Sequence, residues 1–218
     1  MDSRSLLLDF QTASGLTPNM PYTFHPLVTL PADQLPRIAE IHLGDAGLLS
    51  KLGCPFVLRY FENAIQDERA FGFYAQDDET GEIMGFSLAS PEPSALTAKL
   101  TEDKAWFIRN IFKVIFTRPL TFLQMIISSV TIRGQMYEPN TIECVYFTVD
   151  PKFRGRGLGR SLQRALMDEG RKRGYKKIYA SVETWNIASL KAAQANGFRI
   201  IKTFREGFYH RHRLESEL

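Results

Sequence analysis

The stretch from residue 141 to residue 182 constrains the fold more than any other part of the chain. Residues 141–149 are rich in β-branched and aromatic side chains, which favours a strand, and Pro151 ends it because proline cannot donate to a β-ladder. Apolar residues then follow helical spacing over 159–170, and residues 175–182 again have strand character. A strand, a loop, a helix and a strand in this order predict two parallel strands with a right-handed crossover.

The loop of this unit has the composition of an anion-binding site. It contains three glycines and three arginines in the sequence Arg154-Gly155-Arg156-Gly157-Leu158-Gly159-Arg160. Glycines let the backbone approach a ligand closely, and the first amides of a helix lack internal partners and lie at the positive end of its dipole. The loop is therefore predicted to bind an anion, and phosphate fits best. The alternative interpretation is a solvated turn or a weak contact to nucleic acid.

Two nucleotide-binding motifs compete for the same loop. A Walker loop ends in Gly-Lys-Ser/Thr, whereas Gly159 precedes Arg160 and Ser161 here. A dinucleotide fingerprint G-x-G-x-x-G can start at Gly155, but Arg160 occupies its third glycine position. Glu183, at the end of the next predicted strand, suits that fingerprint, whereas too little chain follows the loop to build a large doubly wound sheet. A Rossmann-type dinucleotide-binding protein stays an alternative.

Three pieces of sequence follow one another in this region. Arg154, Gly157 and Gly159 fill the pattern Arg/Gln-x-x-Gly-x-Gly/Ala, directly after the segment VDPKF. A segment Asn-x-x-small then begins at Asn186 and is followed by Gly197-Phe198. In this order the pieces resemble the GNAT superfamily of acyl-CoA N-acyltransferases. The resemblance is close over about the last third of the chain, and elsewhere it extends only to the order of elements.

The resemblance implies a mixed α/β (α+β) fold with a largely antiparallel central sheet and flanking helices. The chain would form a single domain over residues 1–218, with an inserted helical hairpin at about 92–138. Patterns earlier in the chain follow the same order: a strand at 22–27, a helix, a second helical stretch bent near Gly53, and a β-hairpin at 70–90.

In that superfamily the loop and the helix N-terminus hold the pyrophosphate of coenzyme A. The resemblance therefore implies acetyl-CoA as the co-substrate, with its phosphates on the backbone amides of residues 155–160. The backbone of Phe147, Thr148 and Val149 would pair with the pantetheine arm, where two neighbouring strands splay apart. The same backbone would offer amides that polarise the thioester carbonyl.

Glu143 is the candidate general base. Transfer of an acyl group to an amine needs a group that removes a proton from the amine, and many related enzymes carry a glutamate on this strand. Strict alternation would put Glu143 on one face with Val145, Phe147 and Val149, partly desolvated and with a raised pKa. A salt bridge at the end of the strand is its alternative role.

The general acid is less well defined by the sequence. Asn186 and Ser189 match the segment that contacts the pantetheine or acyl end in the superfamily, although Asn186 also suits a helix N-cap. The tyrosine that commonly protonates the thiolate would fall at Ala193, where this chain departs from the pattern. Tyr209 is the candidate that replaces it, with Tyr146 or water as alternatives.

Together these residues predict an N-acetyltransferase that moves an acetyl group from acetyl-CoA to a primary amine by direct transfer. A catalytically weak acyl-CoA-binding module is the alternative from another class. The acceptor is predicted to be a small amine, with an amino sugar among the options, and no nucleic acid. Related enzymes often pair, which suggests a homodimer. His210 and His212 lack further ligands at suitable spacing, so no metal site is predicted.

The insertion contains two apolar segments, at 104–117 and 120–132, that are interrupted or flanked by Arg and Lys. Neither reaches the length of a charge-free membrane span. A helical hairpin packed on the body is the simplest interpretation. A lid over an apolar acceptor, or peripheral contact with a membrane surface through 104–132, is the alternative, because aromatic residues beside cations suit an interface.

Composition bears on the size of the core, on nucleic-acid binding and on the cellular compartment. With 44% hydrophobic and 23% charged residues, the 218-residue chain can bury a substantial core. A net charge of +3 is too small to argue for nucleic acid, and much of it lies at 152–177, where a polyphosphate ligand would account for it. Cys54 and Cys144 have apolar neighbours and are predicted to be buried free thiols in a reducing cytoplasm. The short apolar run near the N-terminus does not resemble a signal peptide, which also favours the cytoplasm.

Overall fold

A seven-stranded sheet forms the centre of the computed structural model, which describes residues 21–133 and 138–218. The strands are β1 (Tyr22–Pro26), β2 (Phe71–Asp77), β3 (Ile83–Ser90), β4 (Thr141–Val149), β5 (Lys177–Glu183), β6 (Arg199–Glu206) and β7 (Tyr209–Glu217). Their order across the sheet is β1-β2-β3-β4-β5-β7-β6. Neighbours are antiparallel except for the parallel pair β4 and β5. The predicted mixed, largely antiparallel sheet is confirmed.

Helices cover both faces of this sheet. They are α1 (Leu35–Leu43), α2 (Leu48–Leu52), α3 (Cys54–Gln66), α4 (Pro93–Ala98), α5 (Lys104–Thr117), α6 (Pro119–Arg133), α7 (Leu158–Lys172) and α8 (Ile187–Ala195). Side chains of α1 and α3 pack on one face, against Phe86 and Leu88 of β3. Side chains of α7 pack on the other face, against Met84 of β3 and Ile142 of β4. Alternate residues of the central strands therefore enter two separate cores.

Strands β4 and β5 are parallel, as predicted, and α7 connects them. Helix α7 buries the stripe that its sequence pattern indicated, including Leu162 and Leu166. Gly170 lets α7 lie close to the sheet, because a Cβ there would come within 2.8 Å of the Ile142 side chain. Among the described strands this is the one parallel pair, so the doubly wound sheet of the Rossmann alternative is not formed.

A β-bulge in β4 changes the predicted distribution of its side chains. Opposite β3, Leu88 pairs with Tyr146 while Ala89 pairs with Cys144, so Val145 is an extra residue. Val145 and Tyr146 consequently both pack with the α1–α3 core. The prediction of one face for Glu143, Val145, Phe147 and Val149 is wrong, because the last two lie on the α7 side.

The insertion folds into α4 and the predicted pair α5 and α6. Leu96 of α4 and Ile111 and Val114 of α5 are buried in the α1–α3 core, which fixes the insertion on the body of the protein. Within the described ranges, none of the helices is both long enough and apolar enough to traverse a bilayer.

The two cysteines have different environments. Cys144 is buried in the core beneath α7, as predicted. Cys54 is exposed at the start of α3, so the prediction of burial is wrong for this residue. Its neighbour Gly53 has a positive φ of 103° and separates α2 from α3, and this break turns the start of α3 outward.

Candidate functional site

The central feature of the site is a fork between β4 and β5. The two strands pair from Thr141 and Lys177 as far as Cys144 and Ala180, and there the pairing ends. Beyond that point β4 continues beside β3, and β5 continues beside β7. The fork leaves one edge of residues 145–149 facing a gap, as the resemblance implied.

The glycine-rich loop lies at the end of β4 and requires its glycines for conformation. Gly155 and Gly157 have φ values of 78° and 80°, in the left-handed region that disfavours other residues. A Cβ at either position would meet no atom within 4 Å among the described residues, so both face open space. Gly157 directly precedes the first residue of α7.

The N-terminus of α7 offers unpaired donors toward the fork. Ser161 is the first residue whose amide donates into the helix, to the carbonyl oxygen of Gly157 at 3.1 Å. The amides of Leu158, Gly159 and Arg160 precede it and have no acceptor within α7. Gly159 lies over β4, since a Cβ there would contact the side chain of Val149 at 3.5 Å. These amides and the helix dipole supply the donors and the positive potential that the predicted anion site next to the fork requires.

Two of the arginines in the loop hold it in place. Arg154 donates from Nε to the carbonyl oxygen of Val149 at 2.8 Å, which ties the loop to the end of β4. Arg160 donates to the carbonyl oxygen of Ala195 at 3.2 Å, and Asn196 donates back to the Arg160 carbonyl at 2.9 Å. The N-terminus of α7 is thereby fixed to the C-terminus of α8. Arg154 Nη2 also lies 3.9 Å from a carboxylate oxygen of Asp45.

Asn186 acts as the N-cap of α8. Its side-chain oxygen accepts from the amide of Ser189 at 3.1 Å, which is the capping role that the sequence offered as an alternative. The cap positions the start of α8 directly after β5. The predicted contact of Asn186 and Ser189 with a pantetheine arm stays a prediction.

Glu143 lies at the closed end of the fork, in the last paired part of β4. It pairs with Tyr179 across β5, and its Oε1 accepts from Arg213 Nη1 at 2.5 Å. Its Oε2 is buried and has no hydrogen-bond partner among the described residues. Burial raises the pKa of Glu143, and the positive charge of Arg213 opposes that rise. The salt bridge and the raised pKa predicted for this residue are both present.

A cluster of charged residues at the open end of the fork was not found from the sequence. Arg211 of β7 donates to Glu206 at 2.8 Å and to Glu183 at 3.2 Å. Asp45, between α1 and α2, accepts from the hydroxyl of Thr148 at 2.7 Å. Burial raises the pKa of Asp45, and the hydrogen bond from Thr148 opposes it. These residues are up to 166 positions apart in sequence, between Asp45 and Arg211, and no motif connects them.

The three positions considered for a general acid have distinct surroundings. Ala193 is fully buried in the core beneath α7. Tyr146 packs edge-on against His42, with ring centroids 4.5 Å apart, and burial raises its pKa. The hydroxyl of Tyr209 lies 3.5 Å from the carbonyl oxygen of Ala46.

The structure does not bring Tyr209 and Glu143 together. Tyr209 and Arg213, the ion-pair partner of Glu143, lie on the same face of β7 and are four residues apart. Four residues of a strand span about 13 Å. The two candidates therefore lie at opposite ends of the fork, Tyr209 at the open end and Glu143 at the closed end. Sequence position alone could not reveal the separation, because it depends on how β7 is placed beside β5.

Comparison with known proteins agrees with this geometry. The model of the Acetyltransferase (GNAT) family matches residues 38–198, which include the fork, the loop, α7 and α8. None of the curated protein sequences is significantly similar to the chain.

Solved structures share the fold at low sequence identity. The ribosomal-protein-S18-alanine N-acetyltransferase from Escherichia coli is 17% identical, with a TM-score of 0.55 over 90% of this chain and 94% of its own. A GCN5-related N-acetyltransferase from Kribbella flavida is 17% identical, with a TM-score of 0.58 over 90% and 98%. A structure from Salmonella typhimurium, described as an acetyltransferase with its cofactor acetyl-CoA, is 17% identical, with a TM-score of 0.57 over 90% and 94%.

Proposed function

The chain belongs to the GNAT acetyltransferase family, and on that premise we propose that it transfers an acetyl group from acetyl-CoA to a primary amine by direct transfer. The observation that carries the proposal is the fork between β4 and β5 with the N-terminus of α7 beside it. An extended pantetheine arm fits the open edge of residues 145–149. The pyrophosphate fits the amides of Leu158, Gly159 and Arg160, because they are unpaired donors at the positive end of a helix.

The acceptor is proposed to be an amine because the open end of the fork is rich in carboxylates. Asp45, Glu183 and Glu206 lie there with two arginines, Arg211 between the two glutamates and Arg154 at 3.9 Å from Asp45. Carboxylates attract an ammonium group and exclude anionic acceptors. An amino sugar is one class of amine with suitable polarity.

Glu143 is proposed as the general base. Its raised pKa and its unpartnered Oε2 suit a group that takes a proton from the amine. As the amine nitrogen bonds to the carbonyl carbon, the bond from that carbon to sulfur breaks and coenzyme A departs as a thiolate. The proton taken from the amine resides on Glu143 and is then released to water. The thiolate takes a proton from water or from Tyr209, which water then reprotonates, so protons and charge balance. Arg213 orients the carboxylate through Oε1.

A catalytically weak acyl-CoA-binding module is the second candidate, and one observation favours it. Ala193 is buried in the core, so the usual tyrosine hydroxyl is missing there. Tyr209 is retained as a proposed proton donor for the thiolate, although it lies toward Asp45 and Ala46 rather than beside Glu143. Turnover separates the two candidates.

The test is release of the coenzyme A thiol from acetyl-CoA in the presence of a panel of amines that includes amino sugars. We expect turnover with at least one amine. We also expect Glu143→Gln to lower kcat by about a hundredfold or more while the affinity for acetyl-CoA changes by less than about twofold. Glu143 must be ionised to accept a proton, and its pKa is raised. Turnover of the unaltered enzyme should therefore increase as the pH rises through that pKa. The pH–rate profile of Glu143→Gln should lack this increase.

Glu215→Gln is the matched control. Glu215 is also a strand glutamate in an ion pair, with Arg199 of β6, but β5 separates it from Glu143. It should keep nearly full activity. Equal kcat for Glu143→Gln and the unaltered enzyme would rule out Glu143 as the base, and binding of acetyl-CoA without turnover on any amine would favour the binding module.

A further inference from the structure

The outer face of α5 and α6 exposes an unusual amount of apolar surface. In α5 the exposed apolar residues recur every fourth position, and in α6 every third, so each set forms one row along its helix. We use the term outer face for Ile108, Phe112, Phe116, Leu120, Leu123 and Ile126. The exposed fraction is 79% for Phe116 and 70% for Leu120, which exceeds what core side chains retain. The rings of Phe112 and Phe116 stack on each other with centroids 6.4 Å apart.

The opposite sides of both helices are already occupied. Ile111 and Val114 of α5 are buried in the α1–α3 core, and Met125 of α6 packs against the same core. Gln124 of α6 is buried against the turn between β6 and β7. The outer face therefore does not complete the core of this chain, and its apolar residues point away from the body. Exposed apolar patches of this kind mark interaction surfaces.

The charged residues of α5 and α6 indicate what kind of surface the outer face contacts. The sequence from residue 104 to residue 129 contains Lys104, Arg109, Lys113 and Arg118 and has no Asp or Glu. Arg109 and Lys113 each follow a member of the outer face by one position, which places them about 100° around the helix from the apolar row. Both are exposed. An apolar row flanked by cations, with no carboxylate over two helices, is complementary to an anionic, partly apolar surface.

We propose that the outer face of α5 and α6 docks on the surface of an anionic lipid bilayer. Phe, Leu and Ile side chains enter the boundary between headgroups and acyl chains, while Arg109 and Lys113 lie at the level of the headgroup phosphates. A protein partner would need acidic residues placed around one apolar patch to match Arg109 and Lys113, whereas an anionic bilayer offers phosphates above an apolar interior over its whole surface. Docking of this kind is peripheral and reversible.

The docking surface is joined to the fork by α6. The side-chain oxygen of Gln124 accepts from the amide of Phe208 at 2.7 Å, and its nitrogen donates to the carbonyl oxygen of Glu206 at 3.2 Å. Glu206 in turn pairs with Arg211 at the open end of the fork. Only α6 would therefore lie between a bound bilayer and Glu206, which belongs to the carboxylates proposed to face the acceptor.

The test is co-sedimentation of the full chain with vesicles of phosphatidylcholine alone and of an equimolar mixture with phosphatidylglycerol, at low and high salt. We expect tighter binding to the anionic vesicles and weaker binding at high salt. Neutralising one cation near an anionic surface should lower vesicle affinity about fivefold, so Arg109→Gln and Lys113→Gln are each expected to do so. Phe112→Ser combined with Phe116→Ser should remove most of the remaining affinity.

Matched controls lie outside the outer face. Val28→Ser changes an apolar side chain that is 69% exposed, and Lys176→Gln neutralises an exposed lysine before β5. Both should bind vesicles like the unaltered chain. The melting temperature of the double Phe variant shows whether it is folded. If it is not folded, the two charge variants still test the proposal.

Three outcomes would overturn the proposal. The first is equal binding to neutral and anionic vesicles, and the second is unchanged affinity in both the charge and the Phe variants. The third is a homodimer that Phe116→Ser dissociates in a chain that does not bind vesicles, which would assign the outer face to a second copy. None of these readouts depends on acetyl transfer, so failure here is distinct from failure of the proposed function.

Discussion

His42 is a buried histidine in an aromatic environment. It is 1% exposed, and neither ring nitrogen has a hydrogen-bond partner in the part of the chain that the structure describes. Aromatic rings surround it, namely Phe61, Phe86 and Tyr146. Because the charged imidazolium would lose its hydration in this environment, burial lowers the pKa of His42 from 6.5 to about 4.

The low pKa predicts a loss of stability in mild acid. Between pH 6.5 and about 4 the unfolded chain binds a proton at His42 that the folded chain does not, so the free energy of unfolding falls as the pH falls through this window. A shift of this size corresponds to about 3 kcal/mol. His42→Leu should remove most of this dependence when urea unfolding is measured at several pH values.

The control for this prediction is His210→Leu, which removes an exposed histidine from β7. Carboxylates also titrate near pH 4 and change the stability of both variants. The informative quantity is therefore the difference between the two variants in how the free energy of unfolding changes with pH. An equally steep fall in stability for His42→Leu and His210→Leu between pH 6.5 and 4 would show that His42 is protonated in the folded protein at mild pH.

At the scale of elements, strand and helix positions could be predicted because periodicity is local. The sequence pattern predicts a strand at 141–149 and a helix at 104–117, and the structure has both with these bounds. The bulge at Val145 could not be predicted, because it arises from pairing with β3 and leaves no turn residue in the sequence. That single residue decides which side chains of β4 face α7.

The contact between α6 and the turn from β6 to β7 is another feature that only the fold reveals. The carboxamide of Gln124 bridges Phe208, Glu206 and Ser128, and it is 2% exposed. Gly207 lies beneath it with a positive φ of 57°, and a Cβ there would come within 2.4 Å of the Gln124 side-chain oxygen, so the carboxamide would have to move. The insertion is thus fixed to the sheet by hydrogen bonds as well as by its apolar contacts.

Gln124→Ala should therefore weaken the fold through this contact. It leaves the amide of Phe208 and the carbonyl of Glu206 without their partner, and since Phe208 is 53% exposed the cost should be about 1 kcal/mol. Ser129→Ala, on the same helix, removes only a hydroxyl that bonds within α6 and should be nearly neutral. Urea unfolding measures both, and equal stabilities for the two variants would contradict the bridging role.

At the scale of the whole molecule, the site combines one part that the sequence predicts and one that it does not. The anion site lies within a single crossover, so its glycines and arginines could be recognised from spacing alone. The cluster of Asp45, Glu183, Glu206 and Arg211 depends on the assembly of four elements around the fork. These charges become neighbours only when the sheet folds, so no local sequence pattern could predict the cluster.

The measurement that tests the central claim most directly is calorimetric titration of acetyl-CoA into the unaltered chain, Gly157→Ala and Gly174→Ala. Both glycines have positive φ values, 80° and 85°, and a Cβ at either meets nothing within 4 Å among the described residues, so the two variants carry similar backbone strain. Only Gly157 lies beside the amides of α7. We expect binding that weakens with salt, a loss of at least about tenfold in Gly157→Ala, and unchanged affinity in Gly174→Ala. Equal affinity in all three proteins, or no binding by the unaltered chain, would contradict the assignment of the loop as the cradle for the phosphates of coenzyme A.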